Sequence, residues 1–316
     1  MTLEILFVTG DGAYYPSIDA CTGYLENMGY RCRRTALEDV DFAQDLSRTV
    51  IWQIMGFFPR PLPPGRAAVI HEFRSRSVGR FGVAKDIGKR FLLPKPDYRL
   101  FQTGYLEKTF NRRDTVPFGI LGLGVPEYLD PRAGRAEALF DFGYVGQISD
   151  ERKTPDMLDA FIAKYGHGRS LCMIGPVRDG IDSRYASQTN IRFLGKLPQR
   201  DALETVRRCK IGLCYFPYHM PHAMQPPTKL YEYAAMGMRI WANDSPGNVQ
   251  AIREFGINAY VSKRFAFPDF EVLEAQPDNS AFDPGVLHWK SIIDRSGIVE
   301  FLRAVERTVP APRGMA

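Results

Sequence analysis

The sequence predicts an α/β fold with two domains, each built on a parallel β-sheet. Short apolar runs typical of buried strands alternate with helix-like segments along the chain, and this alternation favours parallel strands joined by crossover helices. The length of 316 residues is enough for about two domains. Glycines and prolines are concentrated between two series of elements, so we predict domains at 1–125 and 140–290 joined by a linker at 126–139.

The first predicted domain begins with an apolar run that indicates a strand, and the turn Gly10-Asp11-Gly12 follows it. Further short apolar runs also indicate strands, which places strands at 4–9, 30–35, 50–55, 67–73, 98–102 and 117–121. Apolar residues at helical spacing predict helices at 16–28 and 78–93.

The second predicted domain repeats this alternation. Buried strands are predicted at 140–145, 170–174, 191–194, 211–216, 238–242 and 259–261. The helices between and after them are predicted at 155–165, 200–209, 228–236 and 249–255. We expect residues 266–288 to be irregular, and a last helix is predicted at 298–309 within the terminal segment 291–316.

The composition is that of an ordinary globular protein, with 45% hydrophobic and 24% charged residues. The five cysteines are scattered and have no metal-ligand spacing, which favours reduced core thiols in a cytosolic protein. No run approaches the ~20 apolar residues of a membrane span. The opening apolar run is too short, and its flank too acidic, for a signal peptide. We therefore expect a cytoplasmic protein.

The most informative segment is 225–247. Two prolines open a short predicted helix, Gly237 ends it, and a buried strand and a turn follow. The free N–H groups at a helix N-terminus suit a phosphate. Lys229 adds a mobile cation there, and Glu232 projects from the same face one turn on. A carboxylate in this position could hold a ribose diol next to a diphosphate.

Residues 227–244 have the sequence Pro-Thr-Lys-Leu-Tyr-Glu-Tyr-Ala-Ala-Met-Gly-Met-Arg-Ile-Trp-Ala-Asn-Asp. This segment resembles the nucleotide-sugar signature of GT-B glycosyltransferases, especially family 4 and related bacterial polysaccharide glycosyltransferases. The resemblance covers residues 140–290. It implies two Rossmann-like domains facing a cleft, with the last helix crossing back onto the first domain. It also implies that Glu232 binds the nucleotide ribose, while Thr228 and Lys229 face the diphosphate.

Another loop of the second domain supports the same resemblance. In the family, the loop after the first strand of this domain carries a glycine, an arginine and a lysine, and both cations face the diphosphate. Gly146 and Lys153 fit this pattern, whereas Gln147 stands where the arginine is usual. The predicted phosphate site therefore has one cation fewer, and a plain strand-to-helix turn is the alternative interpretation.

Two more loops follow predicted strands, where open α/β sheets bind ligands. Gly175 and Pro176 form the first, and a glycine allows the backbone to approach a ligand closely. The second, 195–198, contains Leu197 and resembles the family's loop beside the nucleobase. Backbone groups would read the base there. Ordinary turn chemistry is the alternative for both loops.

The loop 218–225 departs most from the family pattern. Many retaining members have an acid eight positions before the ribose glutamate, facing the transferred sugar, but Met224 stands there. His219, His222 or Gln225 could meet the sugar instead, because a neutral imidazole or amide bonds hydroxyls. They could also be ordinary loop residues. The two histidines could bind a metal, but the sequence offers no third ligand, so no metal site is predicted.

Candidate catalytic residues in the first domain lie near the ends of predicted strands. His71 would bind the sugar in a retaining mechanism, with the leaving phosphate taking part in the chemistry. An inverting mechanism needs a base near the acceptor hydroxyl, for which Glu72 and Asp11 are the candidates. Structural roles compete with these, because Asp11 could brace its turn and His71 could be a satisfied core histidine.

The predicted helix 78–93 lies in a strongly basic segment that contains one acid, Asp86. Its apolar residues recur at helical spacing at Val78, Phe81, Ala84, Ile87 and Phe91. A basic amphipathic helix can lie on an anionic membrane surface. The alternative is a domain helix whose apolar stripe faces the core.

The resemblance implies a glycosyltransferase that moves a sugar from a nucleotide-diphosphate-sugar of UDP or GDP type, without another cofactor. The acceptor would be a saccharide or a polyprenyl-diphosphate-linked saccharide in bacterial surface polysaccharide or glycoconjugate synthesis. Such an enzyme would work in the cytoplasm, with peripheral contact at the inner face of the cell membrane. The alternatives are a nucleotide-sugar epimerase and a non-catalytic nucleotide-sugar-binding subunit with a degenerate site. The net charge is only +5 and no recognition motif accompanies it, so no nucleic-acid partner is expected.

Overall fold

The chain contains two compact units, residues 1–124 with 289–316 and residues 125–288. The structure is a computed structural model that describes residues 3–10, 15–36, 38–40, 45–56, 64–77, 80–112, 114–133, 137–220 and 222–309. Each unit contains a six-stranded parallel sheet with flanking helices, which confirms the predicted α/β class.

The first unit opens with strand-helix alternation as the apolar runs predicted. Its strands are β1 Glu4–Thr9, β2 Arg31–Ala36, β3 Thr49–Ile54, β4 Ala68–Phe73, β5 Tyr98–Phe101 and β6 Phe118–Ile120. Its first helices are α1 Pro16–Asn27, α2 Gly82–Phe91 and α3 Gly104–Phe110. The strands lie in the order β2-β1-β3-β4-β5-β6. β3 and β4 are buried along their whole length, as expected for central strands of a parallel sheet.

The second unit contains a sheet in the order β12-β11-β10-β7-β8-β9. Its strands are β7 Phe140–Val145, β8 Leu171–Ile174, β9 Ile191–Gly195, β10 Cys209–Cys214, β11 Arg239–Asn243 and β12 Tyr260–Ser262. Its α-helices are α4 Thr154–Tyr165, α5 Ile181–Arg184, α6 Gln199–Arg207, α7 Thr228–Ala235, α8 Pro246–Phe255 and α9 Phe270–Glu274. Short 3₁₀ turns occupy His222–Met224 and Pro284–Val286.

The last two helices, α10 Trp289–Arg295 and α11 Ile298–Thr308, belong to the first unit. Their apolar side chains, such as Ile293 and Leu302, join the same buried core as Trp52 of β3. The Tyr98 hydroxyl donates a hydrogen bond to the Ser296 carbonyl at 2.8 Å. The C-terminal helices are thus part of the core that covers one face of the first sheet.

Strand order places a topological switch point in the second unit. The chain runs from β7 outward through β8 to β9, and then returns to the other side of β7 with β10 and continues outward to β11 and β12. In an open parallel sheet, ligands bind where the order reverses, at the carboxyl ends of the strands. That position lies between the ends of β7 and β10.

Helix α7 is held at this switch point by close packing on β10. Gly212 of β10 has no side chain, and a Cβ placed there would lie 2.6 Å from the Tyr233 ring. The Tyr233 hydroxyl in turn accepts a hydrogen bond of 3.0 Å from the backbone N–H of Val145, the last residue of β7. Tyr233 therefore joins α7 to both strands that border the switch point.

Several predicted elements have different bounds, and short helices were missed. The helix predicted at 78–93 is α2, which spans 82–91; Val78 lies outside the described residues. α3 was not predicted, because it has only seven residues and so little periodicity. The expectation that 266–288 is irregular is wrong, since α9 and a 3₁₀ turn lie there.

The apolar stripe of α2 faces solvent. The predicted stripe residues Phe81, Ile87 and Phe91 are all exposed. The opposite face of the helix is buried and carries the charged residues Asp86 and Lys89. The interpretation of α2 as a helix whose apolar stripe packs on the core is therefore wrong.

We predict that Gly212→Ala destabilises the second unit. The added methyl would overlap the Tyr233 ring, and overpacking of this kind costs about 1–3 kcal/mol. Thermal unfolding followed by circular dichroism measures the loss. Gly23→Ala is the matched control, because Gly23 lies within α1 with open space around it and should not lose stability. Equal stability of Gly212→Ala and wild type would contradict the proposed packing.

Candidate functional site

The candidate site lies at the carboxyl ends of β7 and β10, where the order of the second sheet reverses. The signature helix α7 begins beside these strand ends, and the loops after β7, β8 and β9 lie along the same edge. Parallel strands place all their carboxyl ends at one edge, so residues far apart in the sequence meet there.

Lys229 is buried and its ammonium group is fixed between two aromatic rings. Nζ donates a 3.0 Å hydrogen bond to the carbonyl of Tyr215, which directly follows β10. The same atom lies 4.5 Å from the ring centroid of Tyr144 and 4.4 Å from that of Phe216. Cation–π attraction and one hydrogen bond therefore hold the charge in place. The expectation of a mobile cation is wrong, because these contacts fix the position of the ammonium group.

Glu232 lies one turn after Lys229 and is also buried. Its carboxylate accepts a 3.0 Å hydrogen bond from Nε2 of Gln199, the first residue of α6. Burial raises the pKa of Glu232 from 4.5 to about 7, against the opposing effects of Gln199 and Lys229. The carboxyl group is therefore poised between its neutral and charged forms at neutral pH. Hydroxyl donors that reached it would favour the charged form.

Three glycines with positive φ line the ends of β7, β8 and β9. Gly146, Gly175 and Gly195 have φ angles of 149°, 141° and 69°. A Cβ on Gly175 would lie 2.0 Å from the carbonyl oxygen of Gly146, so only glycine fits there. Pro176 beside them is exposed, and Leu197 is half-buried. Glycine at 175 is therefore required by the close approach of the loop backbones after β7 and β8, whereas Gly195 has open space around it.

The loop between β7 and α4 is braced from within. The Thr154 hydroxyl donates to the Ser149 carbonyl and accepts from the Ser149 N–H, both at 2.8 Å. Lys153, directly before α4, has a left-handed backbone with φ of 53° and an exposed side chain. Nε2 of Gln147 bonds Ser149 Oγ at 3.3 Å, so Gln147 has a bracing contact within the loop.

Arg152 supplies a cation that the sequence analysis did not identify. Its Nη1 donates a 3.2 Å hydrogen bond to Oε1 of Gln225. Gln225 lies in the loop that leads into α7. The same amide oxygen lies 3.1 Å from Nδ1 of His222. Arg152 thus adds a guanidinium to the same loop as Gln147.

The loop before α7 brings together the two histidines predicted to meet the sugar. Their rings, His219 and His222, lie edge to face at a centroid distance of 5.0 Å. Nε2 of His222 lies 3.4 Å from Glu151. Partial burial, His222 and Lys153 lower the pKa of His219, so its ring is neutral at neutral pH. Met224 is half-buried in the 3₁₀ turn.

Metal ligation has no structural counterpart in the part of the chain that the structure describes. Within it, no group of three or more His, Cys, Asp or Glu side chains is arranged to hold a metal ion. The five cysteines are all free thiols, and four of them are buried.

Sequence reasoning missed Gln199 and Arg152, which contact predicted site residues. Gln199 begins α6, and nothing in its local sequence indicates that it reaches Glu232, 33 positions away. Arg152 stands beside Lys153 in the loop after β7. This pair of adjacent cations could have indicated from the sequence that Arg152 belongs to the site. Only tertiary structure shows which of the two cations contacts Gln225.

Glu72 in the first unit is buried and its carboxylate is engaged on both oxygens. One oxygen accepts a hydrogen bond from Nε1 of Trp52 and the other from Nε of Arg74, each at 2.6 Å. The guanidinium of Arg74 lies 4.7 Å from the ring centroid of Tyr15, which directly precedes α1. Arg74 thus links the carboxyl end of the strand that holds Glu72 to the start of α1.

His71 lies on the opposite face of the sheet from Glu72, because successive strand residues alternate. The structure therefore does not bring the two side chains together. His71 is buried, and Nε2 has no hydrogen-bond partner among the described residues. Burial, Arg99 and Arg112 lower its pKa to about 3, so the imidazole is neutral. Asp11 lies outside the described residues. The catalytic roles of these three residues stay predictions.

Comparisons with known proteins give structural matches only. No protein-family model matches the sequence, and no curated protein matches it. Among the matching solved structures is AviGT4, a glycosyltransferase involved in avilamycin A biosynthesis. It is 16% identical, with a TM-score of 0.61 over 96% of this chain and 98% of its own.

Two other matching structures have similar extents. A glycosyltransferase from Rickettsia africae is 10% identical, with a TM-score of 0.63 over 97% of this chain and 99% of its own. Anabaena HepE, solved with UDP and glucose, is 11% identical, with a TM-score of 0.57 over the same shares. At these identities the likeness concerns the fold, and this chain has the GT-B fold of these proteins.

We predict that the buried carboxyl of Glu232 makes stability depend on pH. The folded protein keeps a proton that the unfolded chain releases above about pH 4.5, so stability falls as the pH rises toward about 7. Glu232→Gln removes this cost. Its gain over wild type should be about 2–3 kcal/mol larger at pH 8 than at pH 5.

Chemical denaturation of both proteins at the two pH values measures this difference. Glu204→Gln on α6 is the control, because that carboxylate is exposed and its substitution should have nearly the same effect at both pH values. A pH-independent difference between Glu232→Gln and wild type would show that the carboxyl ionises as freely in the folded as in the unfolded protein.

Proposed function

We propose that this protein is a glycosyltransferase of the hexosyltransferase type that uses a nucleotide-diphosphate-sugar donor. The observation that carries the proposal is the buried pair Lys229 and Glu232 at the switch point of the second sheet. A buried cation and a buried carboxylate one turn apart cost stability unless a ligand uses them. The fold shared with HepE, which binds UDP and glucose, supports a nucleotide-sugar as that ligand.

The donor's nucleoside half is assigned to Glu232 and the loops after β8 and β9. The ribose diol would donate hydrogen bonds to the Glu232 carboxylate, which Gln199 already orients. The backbone at Gly175 and Pro176 and around Leu197 would contact the base. Backbone groups recognise a base without charged side chains, so either a UDP or a GDP donor is compatible with the proposal.

The donor's diphosphate is assigned to the N-terminus of α7 and the lysines beside it. Lys229 has one of its three N–H groups on the Tyr215 carbonyl. The others can point at phosphate oxygens. The Thr228 N–H donates to the Pro226 carbonyl at 3.0 Å, so it would exchange that contact for a phosphate oxygen. Gly146 permits close approach, and Lys153 and Arg152 add charge from the loop. As the sugar–phosphate bond breaks, charge grows on the diphosphate, and fixed cations stabilise that charge without reorganising.

The first unit is proposed to bind the acceptor, a saccharide or a lipid-linked saccharide. Gln225, His219 and His222 would contact the transferred sugar from the donor side, because amide and imidazole groups bond hydroxyls. If Glu72 is the base of an inverting reaction, the carboxylate must exchange its contact with Arg74 for the acceptor hydroxyl. Bacterial surface polysaccharide or glycoconjugate synthesis at the inner face of the cell membrane is the proposed setting.

We predict that a nucleoside diphosphate stabilises the protein and that Glu232 reads its ribose. At about 100 times its dissociation constant, the preferred nucleotide should add about 2.7 kcal/mol of stability. Glu232→Ala should weaken binding of UDP or GDP roughly ten- to a hundredfold, the worth of a charge-assisted hydrogen bond. Calorimetric titration measures this loss.

The dideoxy nucleotide is the control for this assignment. Wild type should prefer UDP or GDP to its 2′,3′-dideoxy form, and Glu232→Ala should bind the two forms about equally. Lys229→Met should instead reduce the preference for the diphosphate over the monophosphate and keep the ribose preference. No stabilisation by any of UDP, GDP, ADP or CMP would remove the donor site from the proposal.

We also predict that Arg152 and Lys153 contribute to diphosphate binding. Each exposed or half-exposed cation should be worth about 1 kcal/mol, so Arg152→Met and Lys153→Met should each weaken binding roughly fivefold. The effect should shrink as salt is added, because salt screens exposed charges. Lys164→Met, at the far end of α4, is the matched control and should bind nucleotide as wild type does. If neither Arg152→Met nor Lys153→Met changes the affinity, the two loop cations do not contact the diphosphate, and Lys229 alone of the three would be its cation.

Turnover separates the proposed function from its alternatives. A glycosyltransferase should release the nucleoside diphosphate much faster with an acceptor present. An epimerase would convert the nucleotide-sugar without an acceptor, and a non-catalytic subunit would bind the nucleotide without turnover.

A further inference from the structure

Helix α2 and its flanks expose five large apolar side chains on a single short segment. Phe81, Val83, Ile87, Phe91 and Leu92 have between 57% and 67% of their surface exposed. Val83, Ile87 and Phe91 are spaced i, i+4 and i+8, so they form one continuous stripe along the helix. A contiguous apolar patch of this kind on a protein surface marks an interaction site.

The orientation of α2 is fixed by polar contacts on its buried face. The Asp86 carboxylate accepts hydrogen bonds from Nε of Arg76 at 2.7 Å and from the N–H of Ser77 at 2.8 Å. On the same face, Nζ of Lys89 lies 5.7 Å from the ring centroid of Phe110. Rotating the helix to bury its apolar stripe would break the Asp86 contacts. The fold therefore holds the stripe outward.

Cations surround the stripe. Residues 80–95 contain five cations and one acid, and the acid, Asp86, is on the buried face. Arg80, Lys85 and Lys95 are exposed, and none of them lies in an ion pair among the described residues. The guanidinium of Arg90 lies 5.4 Å from the ring centroid of Phe91, at the end of the stripe. The solvent-facing side of the segment is thus apolar at its centre and positive around it.

We propose that this docking surface, residues 80–95, lies on the face of an anionic lipid bilayer. The apolar stripe would enter the boundary between headgroups and acyl chains, and the cations would contact the anionic headgroups. A protein partner would need a groove with an acidic rim. An anionic bilayer needs no such groove, because it presents an apolar interior and negatively charged headgroups along the whole length of the helix. Within the described residues, no helix is long and apolar enough to cross a membrane. This surface contains none of the donor-site residues, and it gives a specific contact to the membrane setting of the proposed function.

The test is co-sedimentation of the full chain with vesicles of phosphatidylcholine alone and with about 30% phosphatidylglycerol added. Wild type should bind the anionic vesicles and bind the neutral vesicles much less. Phe81→Ser with Phe91→Ser should lower the partition coefficient about tenfold or more. Lys85→Gln and Lys95→Gln should each lower it about fivefold on anionic vesicles.

Two control variants test whether the effect belongs to this surface. Phe118→Ser removes another exposed phenylalanine of the first unit, and Lys263→Gln removes an exposed lysine of the second. Both should bind vesicles as wild type does. Thermal unfolding should show that all variants fold, because every substituted side chain is exposed. UDP or GDP titration should be unchanged in all of them, so failure of the donor site would be seen separately.

Three results would overturn the proposal. Wild type could fail to bind anionic vesicles, or it could bind neutral and anionic vesicles equally. The Phe118→Ser control could lose as much binding as the pair on α2. Light scattering, which measures the oligomeric state, completes the test. If wild type forms a dimer that the Phe81 and Phe91 substitutions dissociate, and no variant binds vesicles, the surface would bind a second copy of the chain instead.

Discussion

The packing of Tyr233 against Gly212 is the constraint on which the candidate site depends. With no side chain at Gly212, α7 comes close enough to β10 for the Tyr233 hydroxyl to reach the end of β7. One aromatic side chain thereby sets the distance between the signature helix and both strands at the switch point. Lys229 and Glu232, one turn apart on that helix, take their positions from this contact.

Lys229 and Glu232 lie in environments that leave part of their hydrogen-bonding capacity available to a ligand. Lys229 lies between two rings with one hydrogen bond to a carbonyl, and burial of Glu232, which raises its pKa, leaves its charge poorly solvated. A diphosphate beside the lysine and a diol beside the glutamate would each supply the missing partners. Because the fold itself holds both groups in place, the binding energy of the ligand need not be spent on positioning them.

Local patterns predicted the α/β class, most elements and the central pair of the site. Long apolar strands such as β7 and the Pro-to-Gly segment around α7 carry their own signals, because burial and helix ends impose residue types directly. Gln199 and Arg152 could not be assigned from the sequence, since their roles come from contacts across the sheet edge. His71 and Glu72 were both candidates because they lie near the carboxyl end of a predicted strand, but strand alternation directs their side chains to opposite faces of the sheet.

Helix α2 shows the limit of periodicity as a guide to burial. Its spacing predicted that Ile87 and Phe91 share one stripe, but it missed Val83, and periodicity does not say which side of a helix meets the core. Asp86 decides this, because its carboxylate is already bonded to Arg76 and Ser77 on the buried face. A helix that buries its charges and exposes its apolar residues is less stable in water than the reverse arrangement. The arrangement becomes favourable when the exposed apolar face is buried in another apolar environment. The surface of α2 is therefore better suited to contact with a lipid bilayer than to contact with water.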